Sequence, residues 1–215
     1  MYSQYCGVAK ALDVLGERWT LLIVRELLLG PLRYRDIAAQ LPDMATDMLT
    51  ARLRTLADHG LVDRVETGGV GGGITYSLTP KGHAVRPVVE ALARVGIAFM
   101  SKPTETDDDI TLRWALATAR IWLDPNACPI GTCQIVADDQ AFQLNNDGSN
   151  VELTYLSQTT VPGGVVFSGP ERDLVAVLTG HVALNDRTIH CSGDKRQTQR
   201  WLNAIIAAFP TPTRG

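Results

Sequence analysis

Residues 66–76 read ETGGVGGGITY, with five glycines in the six positions Gly68–Gly73. Such a run either cradles a phosphate or forms the flexible tip of a hairpin. A dinucleotide fingerprint needs G-x-G-x-x-G after a strand and opening a helix, so that the helix N-terminus meets the pyrophosphate. Counted from Gly69, the third required glycine falls on Ile74; counted from Gly68, the second falls on Val70. No Gly-Lys-Ser/Thr follows, and the run leads into ITYSLT, a strand-like segment. Glycine reaches positive φ without steric cost, which is what a hairpin tip demands. The run therefore joins two strands, LVDRVE and ITYSLT.

Upstream of this hairpin the pattern is helical. Val8, Leu12, Leu15 and Trp19 recur at intervals of four, three and four from Cys6 onward. TLLIVRELLLG reads as a buried helix ending at Gly30-Pro31. RYRDIAAQLP follows as a short helix with Tyr34, Ile37, Ala38 and Leu41 on one face, stopped by Pro42. Leu49, Leu53 and Leu56 stripe the next helix, Thr46–His59, which closes at Gly60. Downstream, Thr79 is an N-cap with Pro80 at the first helical position. The long helix it opens, Pro80–Met100, carries Val85, Val88, Val89, Leu92, Val95 and Phe99 as an apolar stripe, with a kink expected at Pro87. Three helices, a strand, a glycine hairpin and a returning strand are the layout of a winged helix-turn-helix. In that layout Thr46–His59 enters the DNA groove and RYRDIAAQLP supports it.

The second half has a different texture. Residues 102–109, KPTETDDD, read as a polar, acidic linker. After it come a helix, ITLRWALATARIWLD, and four strand-like runs, GTCQIVA, QAFQLNN, VELTYLS and GVVFSG. A helix ERDLVAVLTG, a strand RTIHCSG and a last helix QTQRWLNAIIAAF complete an α+β pattern. The expected organisation is residues 1–101 as a winged helix-turn-helix domain, to which the family resemblance given below adds DNA binding and dimerisation, 102–109 as linker, and 110–215 as a second domain.

Bulk composition limits the function classes. At 45% hydrophobic and 20% charged, the chain reads as an ordinary globular protein. No apolar run is long enough for a membrane span and no leader pattern opens the chain, so a cytoplasmic protein is expected. The net charge of −3 conceals an asymmetry. Residues 1–100 hold eleven Lys/Arg and ten Asp/Glu; residues 101–215 hold nine and thirteen. Contact with nucleic acid must then come from local placement of charge. The four cysteines, Cys6, Cys128, Cys133 and Cys191, show no metal-ligand spacing, and neither a metal nor a cofactor is expected. No G-x-S-x-G or H-E-x-x-H occurs, and His190 and Cys191, adjacent in a strand, point to opposite faces. No catalytic residues are assigned.

CGVAKALDVLGERWTLLIVRELLLGPLRYRDI (Cys6–Ile37), LTARLRTLADHGLV (Leu49–Val62) and YSLTPKG (Tyr76–Gly82) together resemble the HxlR family of bacterial transcriptional regulators, over about Cys6 to Phe99. The resemblance implies a dimeric winged helix-turn-helix that binds double-stranded DNA at a palindromic operator. Two features depart from the family pattern. A Ser cap usual near Ala45 is absent, so Thr46 is expected to take its role, and the wing is glycine and valine rather than proline and a basic residue.

With the leucines facing in, Thr46, Asp47, Thr50, Ala51 and Arg54 point outward, and Arg52 sits at the margin. Arginine can bridge guanine O6 and N7, and the Thr50 hydroxyl can bond a base or a phosphate. Asp47 is a first-turn helix stabiliser or a reader of cytosine. Arg33 and Arg35 are expected to grip backbone phosphates, and Arg64 is the nearby cation at the base of the wing. Tyr34 is expected in the core.

Cys6 occupies the place where some HxlR-type regulators carry a redox-sensing cysteine, and a helix N-terminus there lowers a thiol pKa. The C-terminal half, chiefly Phe167–Gly180, resembles the sterol-carrier-like domain fused to some regulators of this family. Such a domain encloses an apolar cavity, which Trp114, Phe142, Leu153, Tyr155 and Phe167 would line to hold a small hydrophobic or aromatic effector. Two other readings stay open: a lipid or small-molecule carrier whose N-terminal domain only dimerises, and a redox-sensing repressor acting through Cys6.

Overall fold

The computed structural model describes residues 2–67, 73–97, 99, 111–138, 140–156, 164–184 and 188–209. They form two compact units, Met1–Leu92 and Ala93–Gly215. The tip of the glycine run (residues 68–72) and the expected linker (102–109) lie outside the described residues.

In the first unit, helix α1 (Gly7–Leu15) starts at the N-cap Cys6 and stops at Gly16 instead of running on to Trp19. The Gly16 N–H bonds the Leu12 carbonyl at 2.9 Å. A Cβ at Gly16 would lie 2.5 Å from that same oxygen, so the close turn requires glycine. Trp19 then takes a left-handed φ of 77° and starts α2 (Thr20–Leu27). Ile23, Val24 and Leu27 bury the inner face of α2. Gly30, at φ 133°, turns the chain into a two-residue strand, β1 (Leu32–Arg33), that the sequence pattern does not show. Helices α3 (Tyr34–Gln40) and α4 (Thr46–Asp58) follow.

The strands β2 (Val62–Thr67) and β3 (Gly73–Leu78) pair antiparallel, with Val62 opposite Leu78 and Thr67 opposite Gly73, as the hairpin reading requires. β1 adds to the free side of β3, giving the order β1-β3-β2. The result is a winged helix-turn-helix.

Thr79 caps α5 (Pro80–His83), its Oγ1 accepting from the Gly82 N–H at 3.0 Å. The long helix expected from Pro80 to Met100 is not one kinked rod. It breaks after His83 and restarts as α6 (Arg86–Ile97), with Pro87 in the new first turn. A first-turn residue needs no N–H partner within its helix, so breaking the helix there removes the conflict that would have produced a kink.

The second unit opens with α7 (Leu112–Trp122), capped by Thr111, whose Oγ1 accepts from Trp114 N–H. The strands β4 (Gly131–Ala137), β5 (Gln140–Asn146), β6 (Val151–Leu156), β7 (Val165–Ser168) and β8 (His190–Ser192) form one sheet in the order β6-β5-β4-β7-β8. All neighbours are antiparallel except β4 and β7. Helices α8 (Glu171–Leu178) and α9 (Lys195–Ala207) complete it, the latter capped by Asp194.

Residues directly opposite in adjacent strands share a face. One face carries Leu153, Phe142, Leu144, Cys133, Ile135, Val165 and Phe167, all buried, and α7 and α9 pack on the sheet. The other face carries Thr132, Gln143, Asn145, Glu152, Thr154 and His190, each partly or fully exposed. One apolar and one largely polar face is the usual solution for an antiparallel sheet with helices on one side. Both units together make the chain α+β. Among the described residues no helix is long and apolar enough to cross a membrane.

Candidate nucleic-acid interface

Helix α4 is anchored from behind. Leu49, Leu53 and Leu56 are each at most 2% exposed, and burying a leucine contributes about 2 kcal/mol apiece. Their spacing of four and three puts them on one stripe, so Asp47, Ala51 and Arg54 come to the opposite side with Thr50 on its flank. Thr46, three residues before Leu49, is uncovered because it opens the helix; all five are exposed. That outward set is the one read from the sequence.

The start of α4 is held differently from expectation. Its N-cap is Ala45, which has no side-chain cap, and Thr46 is the first helical residue, so Thr46 does not replace the missing serine. Two other groups stabilise this end. Asp47 Oδ1 accepts from the Met48 N–H at 2.8 Å, and its charge in the first turn suits the helix dipole. Tyr34 is half-buried rather than a core residue, and its hydroxyl donates to the Thr46 carbonyl at 2.7 Å and lies 3.2 Å from Thr50 Oγ1. Thr50 Oγ1 also donates to the Thr46 carbonyl, at 2.9 Å.

Tyr34 thus fastens α3 to the first turn of α4. Sequence reasoning missed this, because one tyrosine on an apolar stripe looks like core until the partner helix is placed. Tyr34→Phe is expected to cost about 1 kcal/mol in urea unfolding. It should also speed amide exchange in the first turn of α4 while leaving the leucine-backed turns protected.

The arginines separate into distinct settings. Arg54 is 83% exposed, with Asp58 no nearer than 3.9 Å. Arg35 is 77% exposed and 3.3 Å from Asp36 Oδ1 on its own helix. In these settings both side chains can move to an outside partner, since exposed pairs of this kind hold weakly. Arg52 sits at the margin of this face, but it is already engaged. It is 21% exposed, and its guanidinium donates to Glu17 Oε2 at 2.7 Å.

Arg33 and Arg64 do not share a surface. Arg33 pairs with Thr75, which faces Val65, whereas Arg64 pairs with Tyr76, which faces Leu32. The three-stranded sheet therefore carries the two arginines on opposite faces.

Residues 14–104 match the HxlR-like helix-turn-helix family. An HTH-type transcriptional regulator of Synechocystis sp. is 34% identical over 45% of this chain and 72% of its own length. The chain belongs to the HxlR family. It is accordingly placed among DNA-binding transcriptional regulators. The HTH-type regulator YvaP of Bacillus subtilis is 39% identical over 40% of this chain and 79% of its own length. The reduced form of the regulator YodB from B. subtilis, a solved structure, is 29% identical, covering 46% of this chain and 98% of its own, with a TM-score of 0.40. The family match ends at residue 104, before the described part of the second unit resumes at 111.

Two further sets of residues named from the sequence belong to other parts of this HxlR-family chain. Cys6 is exposed at the N-cap of α1, where the backbone N–H groups of Ala9 and Val8 lower its thiol pKa. In the second unit, burial pushes Cys133 well up and Cys128 to about 11, with Asp124 adding to the latter. Iodoacetamide at neutral pH is therefore expected to label Cys6 ahead of the other thiols and to leave Cys128 and Cys133 unmodified until urea unfolds the chain. Peptide mass spectrometry reads the order. Because the Cys6 thiol pKa is lowered, its advantage should persist as the pH falls below neutrality.

Of the five residues named for an apolar cavity, Phe142, Leu153, Tyr155 and Phe167 do come to one face of the five-stranded sheet, while Trp114 is on α7. Phe142 and Phe167 are wholly buried, and Phe142 meets Tyr155 edge-on at 5.5 Å. An open pocket of about 390 Å³ lies elsewhere in the unit, lined by Pro125, Asn126, Cys128, Ile130, Gly148 and Arg200. Buried Asn146 ties three of these lining residues together, donating to the carbonyls of Pro125 and Cys128, and of Pro129 beside them, at 2.8–3.3 Å and accepting from Gly148 N–H.

Proposed function

We propose that the chain regulates transcription as a homodimer that binds a palindromic operator, with α4 in the major groove. The observation that carries this reading is the outward face of α4, where Thr46, Asp47, Thr50, Ala51 and Arg54 stand exposed on a helix backed by three buried leucines. Arg54 and Thr50 are the base-edge readers, Arg35 and Arg33 the phosphate contacts, and Arg64 a backbone contact from the opposite face of the wing.

Dimerisation is supported by apolar surface left uncovered on two helices. Val8 and Leu12 of α1, and Val88, Leu92 and Val95 of α6, are all exposed. Stripes of this kind on adjacent turns suit a self-complementary contact between two copies. The expected division into residues 1–101, 102–109 and 110–215 remains part of the reading. The C-terminal part is a sterol-carrier-like domain that takes a small hydrophobic or aromatic effector and shifts operator affinity. Its support is the aromatic and aliphatic cluster on the helix-covered face of the sheet.

Selection of duplexes from a random-sequence library by the full chain tests the reading. The recovered site should be palindromic, and its affinity should fall about a thousandfold between 50 and 200 mM salt for roughly six phosphate contacts per dimer. A flat salt response, or no recovered duplex, rejects the assignment and leaves the carrier reading. Thermal shift against hydrophobic and aromatic metabolites tests the effector site; no binder would make the second unit a structural support.

A second reading is favoured by one observation, the exposed and acidified thiol of Cys6. There, oxidation of Cys6 releases the operator. Cys6→Ser that leaves release by diamide unchanged rejects it.

A further inference from the structure

We propose that Arg52 is a positioning residue for α4: it latches the helix to the elbow between α1 and α2 through Glu17, and does not touch DNA. The inference rests on α4 being the DNA-reading helix and concerns how its angle is set.

Three features of the elbow support the latch. It is a stiff turn, with Gly16 N–H on the Leu12 carbonyl at 2.9 Å and Thr20 N–H on the Glu17 carbonyl at 3.1 Å. A left-handed Trp19 closes it, with the Arg18 guanidinium 5.1 Å from the centre of the indole ring. A non-glycine residue persists at positive φ only where its surroundings over-determine it. Glu17 is thus presented from a fixed platform.

Arg52 meets it across 35 positions of sequence at 2.7 Å, the guanidinium donating to the carboxylate. The Arg52 side chain is 21% exposed, against 83% for Arg54 two residues on. Its Nε is buried and has no hydrogen-bond partner among the described residues, so that edge of the group is closed to a phosphate. A charge-assisted bond of this kind fixes orientation as well as adding energy. Because the elbow continues directly into α1, a shift of α1 is passed to α4 through this bond.

The test uses full-length Glu17→Gln, Arg52→Gln and the exchanged pair Glu17→Arg/Arg52→Glu on the duplex that the unaltered chain selects from a random library. Each single variant should bind about fivefold more weakly with an unchanged slope of affinity against salt, and the exchanged pair should recover most of the loss. Melting temperatures are measured alongside. A loss of affinity with an unchanged melting temperature, recovered by exchange, is the signature of positioning.

Two results overturn the proposal. In the first, Glu17→Gln binds as well as or better than the unaltered chain while Arg52→Gln weakens binding and lowers the salt slope by about one, which makes Arg52 a phosphate contact. In the second, the exchanged pair binds no better than either single variant. A full chain that selects no duplex overturns the reading of α4 itself, and the latch with it.

Discussion

Trp201→Ala is expected to lower the stability of the C-terminal unit by about 4 kcal/mol. Trp201 is fully buried on α9, a helix that packs against β7, β8 and α8. Removing the indole leaves a cavity that a close-packed interior refills only in part. Urea unfolding should show the transition of this unit at a markedly lower midpoint with an unchanged m-value. Trp201→Phe, which keeps an aromatic ring in the site, should retain most of the stability. A loss below about 1 kcal/mol for the alanine variant would mean that α9 does not close this core.

Leu56→Ala should act in the same way on the first unit, at about 3 kcal/mol. Leu56 is wholly buried, and with Leu49 and Leu53 it forms the back of α4. For a unit of this size the change corresponds to a fall in melting temperature on the order of 10 °C or more. DNA affinity should fall with it near the new melting temperature, because the outward face of α4 is presented only while the leucine stripe is seated. Ala57→Ser, on the exposed side of the same turn, supplies the control and should stay within about 0.5 kcal/mol of the unaltered chain. Equal melting temperatures for Leu56→Ala and Ala57→Ser would contradict the packing described for α4.

A mildly acidic chain can still present exposed cations on its first unit. Nearly balanced charge in the first half is set out by the fold so that Arg35 and Arg54 are exposed, while Arg52 and the buried Glu26 are engaged in ion pairs of their own. Net charge sums these settings and so hides them.

Periodicity alone carried most of the first unit. The leucine spacing of Thr46–Asp58 determined both the helix and its outward side, because a residue's position around a helix follows from its number. The failure of the glycine run to fit a nucleotide fingerprint, followed by an alternating segment, determined the hairpin, and β2 and β3 pair accordingly. The strand and helix order of the second unit was legible for the same reason: each apolar face has its own period.

What the tertiary structure decided was every feature that depends on a partner distant in sequence. β1 is two residues long and exists only because β3 offers an open edge to pair with. Tyr34 became the fastening of α4, and Arg52 the partner of Glu17, because folding brought residues 12 and 35 positions away within hydrogen-bond reach. The break ahead of Pro87 replaced a kink because ending one helix and starting another satisfies the backbone more fully than bending one. Helical and strand periods are local properties of the chain, whereas a hydrogen bond to a distant residue is settled only when the elements pack.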